Sequence, residues 1–205
     1  MNSADLERSL ISWTAAHSGH DAHRQYIGLS GIGDCPRLIY HRVVHGTPAT
    51  TEEKLKFAIG YELERALRER LRGVGVMDWP HGNQYLVQSP GGVACGHIDG
   101  CLNDGDLVEF KTIAREEWLP YEDRTVCDSA PKPWRRILHQ VTAYMHFGGF
   151  SRGHVVYLAR DTGAVRVVPV VVDLRVVREI EETIRTVRAA LDSGTPPACR
   201  CGRCQ

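Results

Sequence analysis

The sequence carries no net charge: 25 Lys and Arg balance 25 Asp and Glu over 205 residues. Global charge therefore lends no support to nucleic-acid binding, and any such surface must be a local patch. The arginine-rich candidates are Arg65, Arg68, Arg70 and Arg72, the pair Arg135–Arg136, and Arg37 with Arg42. Also missing is any apolar run approaching the roughly 18 residues of a membrane span, or the apolar stretch of a signal peptide. A cytoplasmic protein without membrane attachment is expected. Internal repeats and low-complexity tracts are absent too. What is left is ordinary globular composition, 42% hydrophobic and 24% charged. The length suits one well-cored α/β domain and is short for two.

Cysteine is not scarce. There are seven, an odd number, and three crowd into Cys199-Arg200-Cys201-Gly202-Arg203-Cys204. In a reducing compartment such a cluster points to metal ligation before disulfides.

Apolar spacing predicts a first helix from Ser3 to about His17, with Leu6, Leu10, Trp13 and Ala16 on one side. A polar loop to Ser30 and a short helix over Pro36–Val44 follow. Thr50 and Glu53 form a capping box for a long helix, in which Leu55, Ile59, Leu63, Leu67 and Leu71 repeat every four residues up to Gly73. Strands are expected at 84–88, 93–102 and 106–113. Residues 114–132 lack periodicity and suggest a lid or substrate loop. A helix opened by Pro133 runs to Phe147, with Ile137, Val141 and Tyr144 or Met145 inward. A hairpin (154–160, 165–172) turns at Asp161-Thr162-Gly163. Asp173 then caps a last helix carrying Val177, Ile180, Ile184, Val187 and Leu191. This order describes an α/β domain with a central mixed sheet flanked by helices.

The chemistry gathers on residues 96–112. Gly105 suits the left-handed position of a three-residue loop, which pairs Leu102 with Asp106. Counting outward then pairs Asp99 with Glu109 and His97 with Lys111, on the face of Cys101 and Leu107. Ile98, Leu102, Val108 and Phe110 make the opposite, core face. A two-residue reading of the turn would put the two carboxylates on opposite faces. Paired carboxylates repel unless a cation lies between them, and hard oxygens suit Mg²⁺ or Mn²⁺. Such a metal activates water and offsets charge building on a phosphate, while a lysine stabilises the transition state. A surface hairpin with ordinary salt bridges is the plain alternative.

The flanks carry a resemblance. Gly60-x-x-x-Glu64, Gly96-His97-Ile98-Asp99-Gly100, Glu109-Phe110-Lys111 and Gln140-x-x-x-Tyr144, in that order, resemble the RecB-like branch of the PD-(D/E)XK nucleases. The resemblance implies a restriction-endonuclease-like fold and a catalytic set of Glu64, Asp99, Glu109, Lys111, Gln140 and Tyr144. Glu64, Asp99 and Glu109 would hold the divalent metal, and Gln140 would contact the lysine or DNA. Leu29-Ser30…Cys35-Pro36-Arg37 with the three C-terminal cysteines is similar to the CRISPR-associated Cas-four nucleases and their phage relatives. That likeness implies a 4Fe-4S cluster on Cys35, Cys199, Cys201 and Cys204, although the Cys-x-Cys-x-x-Cys tail is compressed against the family spacing. Four thiolates suit tetrahedral Zn²⁺ as well. Cys95, Cys101 and Cys127 have no place in the pattern, and Arg37 is a candidate for a terminal phosphate.

The implied organisation is a helical extension over 1–28, a nuclease domain over 29–194 and a cysteine tail over 195–205. The implied activity is a DNA exonuclease, acting on single-stranded or free ends with 5′→3′ polarity. It would serve beside CRISPR-adaptation or phage-recombination proteins. A non-cutting nuclease-fold subunit that binds DNA or a partner, and a zinc-binding adaptor, are the other classes.

Overall fold

A computed structural model of the chain describes residues 3–16, 24–77, 85–114 and 132–202. Its helices are α1 (Ser3–Ala16), α2 (Pro36–His45), α3 (Thr51–Gly73), α4 (Lys132–Gly148) and α5 (Leu174–Ser193). Its strands are β1 (Ile27–Gly28), β2 (Tyr85–Gln88), β3 (Ala94–Ile98), β4 (Gly100–Cys101), β5 (Leu107–Ile113), β6 (Arg152–Ala159) and β7 (Val165–Val171). The expected start signals operate. Thr50 and Glu53 close the capping box of α3, Pro36 opens α2 behind Cys35, and the Asp173 carboxylate accepts the Arg175 N–H. The 115–131 part of the expected lid, and Cys127 within it, lie outside the described residues.

The strands build two mixed sheets, β1-β3-β2 and β4-β5-β6-β7. Strands β5 and β6 run parallel, with α4 lying between them in sequence, and the other pairs of the second sheet are antiparallel. The continuous strand expected over 93–102 is interrupted. It bends at Asp99, so that β3 pairs with Tyr85–Gln88 and β4 with β5. Hydrogen bonding accounts for the bend. The Asp99 carboxylate accepts the Phe110 N–H at 2.8 Å, and the Asp99 carbonyl accepts Arg68 Nε at 2.9 Å. Side chains thus take places that backbone partners hold in an unbroken ladder.

Glycines flank the bend because other side chains fill their space. A Cβ on Gly96 would stand 2.5 Å from the Tyr144 ring and 3.0 Å from Leu29 Cβ, and one on Gly100 would overlap the Met77 methyl. The turn itself forms as expected. Gly105 has φ of 89°, and Leu102 and Asp106 pair through their backbone at 2.8 Å. Buried Asp106 fixes the turn to β6 by accepting from Arg152 Nε at 3.1 Å and facing His154 Nε2 at 3.0 Å.

The core lies between the sheets and the α4–α5 layer, where Val141, Tyr144, Met145, Ile180 and Val187 are all buried. Two expected stripes do not bury. Leu6, Leu10 and Trp13 of α1 remain exposed, since α1 packs chiefly along α3, itself a surface helix. In α3, Ile59 is exposed while Leu67 and Leu71 touch the core. A strict four-residue repeat turns about 40° per step round an α-helix, so Leu55 and Leu71 cannot share one face.

Candidate active site

Three carboxylates meet from three elements. Glu64 comes from the inner face of α3, Asp99 from the bend after β3, and Glu109 from the middle of β5. Asp99 and Glu109 are buried, and Glu64 is largely so. Helix α3 can approach β5 because residue 60 is glycine: a Cβ there would lie 3.3 Å from Thr112 Oγ1. Lys111, two residues past Glu109 on the same side of β5, donates to Glu109 Oε1 at 2.5 Å. Gln140 donates to the same oxygen at 2.6 Å and to the Tyr144 hydroxyl at 3.3 Å. Tyr144, one turn further along α4, is buried with its ring against Gly96.

The hairpin register therefore holds through Gly100↔Val108 and ends there. His97, expected opposite Lys111, instead pairs with Leu86 in the first sheet and is exposed. The bend at Asp99 carries everything before it out of the second sheet. Leu107, expected on the face of the charged residues, is fully buried.

The charges explain one another. Burial, then the Asp99 charge, raises Glu64 to about 7. Burial and the same neighbour raise Glu109 to about 8. Asp99 is also raised, chiefly by burial. For Lys111, burial pulls the pKa down, but Glu109, Asp99 and Glu64 together outweigh it, leaving a net rise and a lysinium. Burial lifts the Tyr144 phenol well above its usual range, so it stays protonated. Arg68 was visible in the sequence only as part of a basic helix face. Here it pairs with Glu64 and donates to the Asp99 carbonyl. Its i,i+4 spacing from Glu64 foretold the first contact; nothing local foretold the second.

The acids supply the oxygen donors that a hard cation takes. Glu109 Oε2 is buried with no hydrogen-bond partner among the described residues, and oxygen is the only donor type that the three acids offer. A second donor set is soft. The thiols of Cys35, Cys199 and Cys201 lie within 4.8 Å of one another, with the last two 3.6 Å apart. This triad could hold a metal; Cys204 lies outside the described residues. Cys35 sits at the N-cap of α2. Arg37, in the first turn of that helix, donates to the Pro197 carbonyl at 3.4 Å and so meets the tail. Of the unassigned cysteines, Cys95 is buried and Cys101 is partly so.

No family model and no curated protein matches the chain by sequence. Solved structures do match in shape. An alkaline exonuclease from Laribacter hongkongensis superposes with a TM-score of 0.59 at 16% identity, covering 89% of this chain and 93% of that one. Its complex with dAMP gives 0.56 at 17% identity, with the same coverage. A protein named SSO0001 gives 0.56 at 18% identity, covering 88% of this chain and 85% of its own. The α/β fold is thus similar to that of the alkaline exonuclease.

Proposed function

We propose that this chain is a metal-dependent DNA exonuclease of the PD-(D/E)XK type. The observation that carries the reading is the convergence of Glu64, Asp99 and Glu109 beside Lys111, with one buried carboxylate oxygen left without a partner. Such a cluster is costly to bury unless a cation completes it. Glu64, Asp99 and Glu109 would hold Mg²⁺ or Mn²⁺. When bound, the ion supplies Lewis acidity toward the phosphate and a more acidic water.

The chain's own groups do the rest. Lys111, kept charged by its acidic neighbours, places an ammonium where negative charge builds on the phosphoryl oxygens. Gln140 shares Glu109 Oε1 with Lys111 and so fixes the direction in which the carboxylate points. Tyr144 holds Gln140 in turn. Arg68 neutralises Glu64 from behind. Single-stranded DNA ends, cut 5′→3′, follow from the resemblance to RecB-like and Cas-four nucleases, as does a role in phage recombination or CRISPR adaptation. A 4Fe-4S cluster on Cys35, Cys199, Cys201 and Cys204 follows from the same resemblance. The meeting of three of these thiols supports a metal of the soft class, which includes zinc.

The test is to incubate single- and double-stranded DNA, labelled at either end, with Mg²⁺ or Mn²⁺, beside a Lys111→Ala control. Processive loss from the 5′ end by the wild type alone is expected. No cleavage under any condition would leave the non-cutting subunit. Iron and zinc analysis of the purified protein, with absorbance near 400 nm, decides between cluster and zinc.

A further inference from the structure

A cavity of about 430 Å³ opens where α4, α5, the residue 32–36 turn and the cysteine tail meet. None of Glu64, Asp99, Glu109 or Lys111 lines it. Three carboxylates do: Asp34, Glu179 and Glu182. Each is already answered by a cation. Asp34 pairs with Arg42 and Arg136, Glu179 with Arg135, and Glu182 with Arg185. His139, buried in the wall, places its ring nitrogens 2.8 Å from the Arg135 carbonyl and 2.9 Å from the Glu179 carboxylate, which further occupies Glu179.

Arg178 of α5 and Arg200 of the tail also line the cavity, and neither has an ion-pair partner among the described residues. Arg135, Arg178 and Arg200 line the cavity beside the three carboxylates, and Arg42, Arg136 and Arg185 answer Asp34 and Glu182 from outside the lining. The cavity is concave, with Thr183 as a further polar residue of its wall. Two unpaired forks of planar donors at one cavity are the arrangement that recognises a phosphate.

We propose that this cavity is a phosphate-binding subsite, which takes a phosphate of the DNA strand engaged at the acidic centre; it rests on the nuclease reading above. The placement supports this. His139 on the cavity wall and Gln140 at the acidic centre are successive residues of α4, about 100° apart round the helix. One helix therefore borders both sites. Arg200 also lies between Cys199 and Cys201, so whatever fixes the two thiols fixes the backbone that carries this guanidinium. Arg37, the arginine that sequence alone brings forward for a phosphate, also meets the tail.

The test measures binding, in a Lys111→Ala background so that no strand is consumed. Fluorescence anisotropy of a labelled single-stranded oligonucleotide is recorded from 50 to 200 mM salt, for that protein and for one also carrying Arg178→Gln and Arg200→Gln. Removing the two charged donors should weaken binding by roughly tenfold or more at the lowest salt. The log–log salt slope should flatten by about 0.7 for each phosphate no longer neutralised. Parallel calorimetry with inorganic phosphate and with dAMP separates the sources. Weakening in the oligonucleotide arm assigns the cavity to a strand, whereas weakening confined to the small ligands assigns it to free phosphate and overturns the strand subsite. Unchanged affinity and slope in every arm, with an unchanged melting temperature, would overturn any phosphate site here. Failure of the wild type to cut DNA would bear on the nuclease reading and leave this binding result standing.

Discussion

Two donor clusters, one hard and one soft, are built in opposite ways. The oxygen cluster stands on regular structure: a long helix, a bend locked by two side-chain bonds, and the second strand of a four-stranded sheet. Its members are largely buried, and Lys111, Arg68 and Gln140 hydrogen-bond to them. The sulfur cluster stands on a helix cap and an irregular tail, with Cys201 exposed and Arg37 meeting the tail through a 3.4 Å contact. The first is preorganised to do chemistry on something brought to it. The second joins distant parts of the chain, so a ligand there stabilises by holding the tail against α2.

If that contrast is right, the two clusters fail differently. Asp99→Asn should abolish cleavage, by about 1,000-fold or more, with a melting temperature within a few degrees of wild type, because the amide oxygen still accepts the Phe110 N–H. It removes charge from a crowded acidic cluster. Equal activity and an intact fold would dissociate Asp99 from the chemistry. Cys35→Ser should do the reverse. Loss of the bound metal by elemental analysis should accompany a melting temperature lower by roughly 5–10 °C. A variant that keeps both its metal and its melting temperature would reduce Cys35 to a packing residue.

Acidity sharpens the contrast further. Burial holds Glu64 at about 7 and Glu109 at about 8, so the metal-free folded chain binds protons that an unfolded chain, with glutamates near 4.5, has released. Stability from these protons is present at low pH and is lost as pH rises through 7 to 8. Protein free of divalent ions should therefore melt at lower temperature at pH 8 than at pH 5, and Glu109→Gln should flatten that dependence. Mg²⁺ or Mn²⁺ should raise the melting temperature more at pH 8, where protons no longer compete. The smallest effect is expected at Gln140→Ala. Roughly tenfold should be lost from kcat, together with weaker metal half-saturation, while KM for DNA is largely unchanged.

Legibility in the sequence followed distance along the chain. The Gly105 turn, the Thr50–Glu53 cap and the one-turn spacing of Gln140 and Tyr144 are local, and each forms as the residues imply. The break at Asp99 was not legible, because it depends on Arg68, which lies 31 positions away, and on the Phe110 amide across the hairpin. That one bend accounts for the misplaced His97 and for the second sheet. The stripes of α1 and α3 misled for another reason: apolar spacing reports that a helix could bury a face, not that a partner exists to cover it.

The two glycines beside Asp99 have a consequence for how this chain can vary. The space above Gly96 belongs to Tyr144 and that above Gly100 to Met77. A methyl group at position 96 would therefore be felt first on α4, by pushing the phenol off Gln140 and loosening Glu109, although residue 96 touches none of the acids itself. Drift at that position is blocked unless Tyr144 shrinks and Leu29 gives way in the same step. The two sites should change as a pair or not at all.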